Sequence, residues 1–236
     1  MELTQVKENT WVIEANQLIP LYRLDSRRCV LLDSGLLQER EELEETLAAA
    51  GLTPVGVLCS HAHVDHCANN GYFQEKYGTQ IALTYPEAGM CASLLTLKCY
   101  FLTLSPGTVE RESACMIHRP DVILPPQDGP FSFCGAEFRI IHTPGHSAGH
   151  ICTITPDNVC YTADALLSRA LLNAKLPYNL SQQMALESRE KLRKLDCRQY
   201  VMAHRGICPR EEIDRLIDAN QNLVRRRAEE ILSLVD

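Results

Sequence analysis

The sequence predicts an α/β protein, because strand-like and helix-like segments alternate along its whole length. The chain has 236 residues, enough for one large buried core. The sequence shows no internal repeat, and no linker rich in Pro, Gly or Ser divides it. We therefore expect a single domain over residues 1–236, built from sheets that are covered by helices.

The first sixty residues contain four short apolar segments separated by turn residues, the pattern of a β-meander. Similar segments, rich in Val, Ile and Tyr, recur later in the chain and predict further strands. The predicted strands are residues 10–14, 18–24, 29–32, 55–59, 80–84, 137–141, 151–155, 159–162 and 199–203.

Segments with apolar residues at helical spacing separate these strands. In the first of them Leu37, Leu43 and Leu47 share one face, acidic residues cover the other, and Gly51 ends the helix. The predicted helices are residues 37–50, 67–77, 86–104, 181–195 and 209–234.

The composition indicates a folded protein, and its net charge argues against binding to polyanions. Hydrophobic residues make up 45% and charged residues 22% of the chain, which excludes a disordered polypeptide. A formal net charge of -7 argues against nucleic acid and membranes as partners, so we expect a small-molecule substrate. The N-terminus resembles no signal peptide, and the 11 cysteines form no Cys-x-x-Cys pair, which predicts a cytoplasmic protein with reduced thiols.

Seven of the eight histidines fall into three short segments that follow predicted strands. The first reads His-Ala-His-Val-Asp-His over residues 61–66, the second contains His146 in a Thr-Pro-Gly-His turn, and the third contains His204. Alternate residues of an extended segment project to one side, so His61 and His63 can bind the same metal ion. Imidazole and carboxylate groups without thiolate suit Zn, Fe, Mn, Co or Ni.

These motifs resemble the metallo-β-lactamase superfamily. Its signature is His-x-His-x-Asp-His, then a lone His in a Thr-Pro-Gly-His turn, then an Asp and a final His. All parts occur here in family order, and the resemblance extends from residue 31 to residue 206. It implies a four-layer αβ/βα sandwich of two mixed β-sheets flanked by helices, with the site at one rim.

The resemblance also implies two divalent metal ions, with zinc favoured and iron or manganese as alternatives. It assigns the ligands position by position: His61, His63 and His146 on one ion, Asp65, His66 and His204 on the other, and Asp164 as the bridge. Without the resemblance, an acidic residue at the end of an apolar strand, such as Asp164, is more often the cap of a helix than a ligand. Asp33 is either a support of the metal loop or a plain turn residue.

Two features of the motif argue against particular subfamilies of this superfamily. β-Lactamases of this superfamily often carry a cysteine at the second site or lack the pair Asp65 and His66, so antibiotic hydrolysis is disfavoured. Flavin-coupled diiron relatives carry Glu at the position of His63, so oxygen reduction is disfavoured too. Ala163 before the bridging acid, where many relatives have Gly, and Arg205 after the last histidine are minor departures.

The implied mechanism is attack by a metal-bound hydroxide. Asp65 would hold the second ion and orient the hydroxide, and either it or metal-bound water would deliver a proton to the leaving group. Cys67, His142 and His150 stand near the ligands in sequence. We favour packing for the cysteine and structural hydrogen bonding for the two histidines over ligand roles.

Substrate choice in this superfamily depends on insertions at the rim, and helical segments near residues 86–118 and 166–195 can supply them. The first is apolar and would favour an acyl or thioester tail. The second offers Arg169, Lys175 and Tyr178, of which the basic pair could hold a carboxylate or phosphate. The alternative for both segments is ordinary packing, within the core or between the subunits of a homodimer.

Three functions are compatible with these motifs. The first is a metal-dependent hydrolase of a small ester, thioester or lactone, similar to glyoxalase II or the lactonases. The second is an oxidoreductase similar to the persulfide dioxygenases, whose single iron uses the equivalents of His61, His146 and Asp164. The third, a nuclease or phosphodiesterase, is disfavoured by the acidic net charge.

Overall fold

Two mixed β-sheets form the centre of the protein. A computed structural model describes residues 1–173 and 178–234. Within them the first sheet contains, side by side in chain order, β1 (Glu2–Lys7), β2 (Thr10–Glu14), β3 (Leu18–Arg23), β4 (Arg28–Leu32), β5 (Thr53–Leu58), β6 (Gln80–Thr84) and β7 (Val122–Leu124). The second sheet contains, again side by side in chain order, β8 (Gly129–Phe133), β9 (Ala136–His142), β10 (Ile151–Ile154), β11 (Val159–Ala163), β12 (Gln199–Met202) and β13 (Gly206–Pro209).

The strand directions bring particular loops to one edge of each sheet. The strands β1 to β4 form an antiparallel meander, whereas β4, β5, β6 and β7 run parallel to one another. In the second sheet β11 and β12 are parallel, and the other neighbours are antiparallel. Because parallel strands end at the same edge, the loops after β4 and β5 lie together, as do those after β11 and β12.

Helices cover the outer face of both sheets. They are α1 (Arg40–Ala49), α2 (Val64–Cys67), α3 (Asn70–Tyr77), α4 (Tyr85–Met90), α5 (Leu94–Tyr100), α6 (Pro106–Ser113), α7 (Gln182–Arg193) and α8 (Arg210–Leu232). Apolar residues of α1, α3, α5 and α6 pack against the first sheet, and those of α7 and α8 pack against the second. In the described part of the chain, no helix has both the length and the apolar character that crossing a bilayer requires.

Strand β4 shows how the layers are held together. Cys29 and Leu31 join the apolar cluster beneath the helices, while Val30 and Leu32 join the cluster between the two sheets. All four side chains are fully buried, because successive residues of a strand face opposite sides and both sides are covered here. A third cluster lies between the second sheet and its helices, which completes a four-layer sandwich and confirms the predicted fold class.

The predicted helix over residues 86–104 is wrong as a single element, because α4 and α5 replace it. Ser93 interrupts the helical pattern by capping α5: its hydroxyl accepts a hydrogen bond from the backbone N–H of Thr96, and the Thr96 hydroxyl accepts one from the backbone N–H of Ser93. Ser105 and Pro106 start α6 in a similar way. Within residues 86–104, the cap at Ser93 outweighs the apolar spacing that predicted one continuous helix.

Four strands escaped prediction, and all of them lie at the edges of the sheets. They are β1 and β7 in the first sheet and β8 and β13 in the second. Edge strands are half exposed, as the residues of β1 and β13 show, so their sequences lack the continuous apolar runs that mark the central strands.

Candidate metal centre

Loops from both sheets meet at one rim of the sandwich. His61 and His63 follow β5, His146 follows β9, Asp164 follows β11, and His204 follows β12. These side chains are separated by up to 143 positions in sequence, and the topology of the two sheets brings them together.

The first group consists of His61, His63, His146 and Asp164, whose ligand atoms all lie within 4.8 Å of one another. His63 Nδ1 is 3.0 Å from His61 Nε2 and 2.9 Å from His146 Nε2. Asp164 Oδ2 is 3.2 Å from His146 Nε2. Three imidazole nitrogens and a carboxylate oxygen thus converge on one small volume.

The second group consists of Asp65, His66 and His204. Asp65 Oδ2 is 3.5 Å from His66 Nε2 and 3.4 Å from His204 Nε2. Asp164 connects the groups, because its Oδ2 lies 3.5 Å from His66 Nε2 and its Oδ1 lies 3.5 Å from His204 Nε2. Ala163, directly before Asp164, has a φ of +43°, a left-handed value that a residue with a side chain rarely adopts.

The donor set fits a pair of divalent metal ions. Among the described residues, His66 Nε2 and Asp164 Oδ1 are buried without a hydrogen-bond partner, which is unfavourable for a polar atom unless something else satisfies it. Both atoms belong to residues that the resemblance assigns as ligands. Nitrogen and carboxylate oxygen ligands suit Zn, Fe or Mn, so the residues present match the implied cofactor.

Burial favours the neutral form of the histidines in the first group. It lowers the pKa of His61 well below the ordinary value, lowers that of His63 to about 3, and lowers that of His146 as well. The neighbouring imidazoles act in the same direction on the pKa values of His61 and His63. A neutral imidazole has a free lone pair, which is the form that binds a metal.

The second group behaves as an ion-paired cluster when no metal is bound. The adjacent carboxylates of Asp164 and Asp65 raise the pKa of His204 to about 9. Burial lowers the pKa of His66, but the surrounding carboxylates outweigh it and raise that pKa above the ordinary value. Burial also opposes ionisation of Asp65 and Asp164, and the adjacent histidines nevertheless keep the pKa values of both aspartates low.

Asp33 follows β4 and is fully buried beneath the second group. Its Oδ2 lies 2.7 Å from His66 Nδ1 and accepts hydrogen bonds from the hydroxyls of Ser60 and Tyr161, both at 2.7 Å. Its Oδ1 accepts one from the backbone N–H of Ser60 at 2.6 Å. Ser60 Oγ in turn lies 3.0 Å from His61 Nδ1. These contacts favour a support of the metal loop over a plain turn residue.

Sequence reasoning missed Glu87, which belongs to α4 and is 2% exposed. Its Oε1 accepts hydrogen bonds from the hydroxyl of Ser147 and the backbone N–H of Gly149, both at 2.7 Å. Both donors belong to the loop that carries His146. A glutamate in a segment of helical spacing gives no local signal of this role, so the packing alone reveals it.

His142, His150 and Cys67, for which we favoured structural roles, lie outside both groups. His142 Nε2 lies 3.3 Å from the carbonyl oxygen of Ala148. His150 is fully buried, and its Nδ1 lies 2.8 Å from the Thr143 hydroxyl. Cys67 is buried in the apolar cluster beneath the helices of the first sheet.

A pocket of about 470 Å³ opens beside the first group. It is lined by His63, Val64, Asp65, Tyr100, Phe101, Leu102, Thr103, His146, Asp164 and Tyr178. Of the predicted substrate residues, Tyr178 lines it. Arg169 does not, and its guanidinium instead pairs with Glu212 at 2.9 Å on the surface. Lys175 lies outside the described residues.

This fold and this arrangement of candidate ligands are those of the metallo-β-lactamase class. The family model described as the metallo-beta-lactamase superfamily matches residues 5–204. The chain belongs to that superfamily.

Among curated proteins, the chain is similar to the human acyl-coenzyme A thioesterase MBLAC2, with 30% identity over 159 residues, covering 63% of this chain and 53% of that protein. It is 23% identical over 202 residues to the probable metallo-hydrolase YqgX of Bacillus subtilis, covering 85% and 89%. It is 28% identical over 131 residues to a hydroxyacylglutathione hydrolase of a Chelativorans species, covering 55% and 41%. The chain therefore spans about half the length of the first and third of these relatives.

Solved structures share the fold over nearly the whole chain. A β-lactamase from Chitinophaga pinensis has a TM-score of 0.75 at 14% identity, covering 97% of this chain and 94% of its own. A metallo-β-lactamase family protein from Thermus thermophilus has a TM-score of 0.70 at 24% identity, covering 100% and 82%. At these identities the likeness shows the fold alone.

Proposed function

We propose that the protein is a metal-dependent hydrolase of thioesters. The observation that carries this proposal is the complete set of seven candidate ligands, four of which line a pocket that also has an apolar side. Phe101 and Leu102 supply that apolar side, which suits the acyl part of a thioester. Two relatives of this chain are hydrolases of thioesters by name.

Different residues would bind the metal ions and transfer the proton in such a reaction. His61, His63 and His146 would hold one ion, and Asp65, His66 and His204 the other, with Asp164 shared between them. Bound divalent ions make water a stronger nucleophile near neutral pH and polarise a carbonyl oxygen. Asp65 lines the pocket, where it can accept a proton from the attacking water and return it to the thiolate as the carbon–sulfur bond breaks. The products are a carboxylic acid and a thiol.

The pocket also supports a small molecule as the substrate. Its volume of about 470 Å³ is within the range of small-molecule sites, and the net charge of -7 would repel a polyanion. We therefore propose no nucleic-acid partner. Zinc is the proposed metal, with iron and manganese to be tested beside it.

The experiment is a thioesterase assay that follows loss of thioester absorbance, because the free cysteines would react with thiol reagents. Protein purified without added metal is analysed for metal content and then assayed with short-chain and medium-chain acyl-coenzyme A and with a hydroxyacylglutathione. We expect turnover that falls by at least about 100-fold in Asp65→Asn and His63→Ala. Asp196→Asn, a change at an exposed residue, is the matched control.

Two results would overturn the proposal. One is metal-loaded protein that hydrolyses none of these thioesters. The other is a single iron per chain together with oxygen consumption on a persulfide, which would establish the dioxygenase alternative instead.

A further inference from the structure

His63 faces the first group with a different ring nitrogen from that of His61 and His146. His61 and His146 direct Nε2 into the group, whereas His63 directs Nδ1. An Nδ1 lone pair that faces a metal leaves the proton on Nε2. That Nε2 lies 2.8 Å from the hydroxyl oxygen of Tyr100, so the imidazole N–H donates to the phenol oxygen.

Tyr100 is in contact with a second tyrosine. It is the last residue of α5, and its hydroxyl lies 3.2 Å from the hydroxyl of Tyr178. The backbone carbonyl of Tyr178 in turn lies 3.1 Å from His146 Nδ1. The ring of Tyr178 packs edge-on against both histidines, with centroid distances of 5.6 Å to His63 and 5.5 Å to His146. Two segments far apart in sequence thus meet over two candidate ligands.

We infer that Tyr100 and Tyr178 are positioning residues that hold the rings of His63 and His146 in their metal-binding orientation. This inference rests on the proposed metal site. A ligating histidine usually donates its second N–H to an oxygen that fixes the orientation of the ring, and loss of that oxygen typically costs roughly 10- to 100-fold in metal affinity. The phenol oxygen of Tyr100 does this for His63, and the carbonyl oxygen of Tyr178 does it for His146.

The hydroxyls of Tyr178 and Tyr100 and the His63 ring form a chain of contacts, in which only Tyr100 touches His63 through a hydrogen bond. The Tyr178 hydroxyl reaches His63 only through Tyr100, while its carbonyl contact with His146 belongs to the backbone and survives any substitution of the side chain. Removing the Tyr178 hydroxyl should therefore weaken metal binding less than removing that of Tyr100. Removing both should cost no more than removing the hydroxyl of Tyr100 alone, because coupled contacts are not additive.

The test uses the full chain and the variants Tyr100→Phe, Tyr178→Phe and the double variant. Phenylalanine keeps the ring, including the edge-on contact of Tyr100 with Phe101 at 5.0 Å. Tyr85→Phe, at a tyrosine that is 61% exposed and does not line the pocket, is the matched control. Metal-free proteins are titrated with Zn²⁺ against a chromophoric chelator, and Co²⁺ complexes are compared by visible absorption.

We expect Tyr100→Phe to lose about tenfold or more in affinity at the first site and to change the Co²⁺ spectrum. The double variant should match it, and the thermal unfolding of the metal-free variants should equal that of the unsubstituted chain. A loss below about threefold, with an unchanged spectrum, would overturn the inference while leaving the metal site intact. An unsubstituted chain that takes up no metal would overturn the proposed function and this inference with it.

Discussion

Glu87 Oε2 accepts a hydrogen bond from the backbone N–H of Ala62 at 2.8 Å. Ala62 stands between two candidate ligands, and the other oxygen of the same carboxylate holds the loop that carries His146. One buried side chain of α4 therefore fixes two loops that carry candidate ligands and come from different sheets. Such a connection restricts the loops before any ion binds.

We predict that Glu87→Gln lowers the free energy of unfolding by about 2 kcal/mol, because the amide NH₂ would face N–H donors in place of an acceptor. Metal affinity should fall by about tenfold, since both loops lose a support. Denaturant unfolding of the metal-free protein and competition with a chelator measure the two effects. Glu75→Gln, at an exposed position of α3, is the control. Equal stability of the two variants would contradict the role of Glu87.

Removal of metal should lower the thermal stability. A ligand at about 1,000 times its dissociation constant stabilises a protein by about 4 kcal/mol, which corresponds to a shift in Tm of roughly 10 °C at this chain length. We expect a chelator to lower the Tm by this order and fresh Zn²⁺ to restore it. His61→Ala should respond much less to the chelator, and an equal response would place the stabilising ion elsewhere.

The two groups of ligands should lose metal separately. His204 belongs only to the second group, whereas the three histidines of the first group do not contribute to it. We predict that His204→Ala retains about one ion per chain where the unsubstituted chain holds about two. Elemental mass spectrometry after gel filtration measures this. A variant that still retains two ions would show that His204 is not a ligand.

The apolar side of the pocket should select the acyl group. Leu102 is 75% exposed and lines the pocket, so Leu102→Glu should leave the fold intact and place a charge where an acyl chain would lie. We predict a KM for medium-chain thioesters that rises by about tenfold, with a smaller effect on acetyl thioesters. Leu95→Glu is the control, because Leu95 is 73% exposed in the preceding helix α5 and outside the pocket lining. Equal effects of both variants would refute this assignment.

Gly145 should tolerate no side chain. Its φ is +138°, and a Cβ there would overlap the backbone of Ala185 in α7. Gly145→Ala should therefore lower the free energy of unfolding by about 2 kcal/mol or more and displace His146. Gly107→Ala, in an open position of α6, should be neutral or slightly stabilising. Unfolding curves that coincide for the two variants would contradict the packing described here.

Much of the fold could be predicted because central strands and amphipathic helices carry their own patterns. The burial of β4 on both faces appears in the sequence as the continuous apolar run Cys29 to Leu32. The edge strands lack that pattern, and the cap at Ser93 divides the segment over residues 86–104 that its apolar spacing predicted as one helix. Local chemistry therefore set element boundaries that periodicity could not predict.

The candidate ligands were found in the sequence because their residue types and short spacing are rare by chance. What the sequence determined by itself was which residues carry the chemistry and in which order. The supports of those ligands had no such signal: Glu87, Tyr100 and the carbonyl of Tyr178 lie 25 to 62 positions along the chain from the residues of the metal loops that they contact. Only the tertiary structure decided those contacts, because hydrogen bonds depend on distance in space, and the packing of two sheets sets that distance.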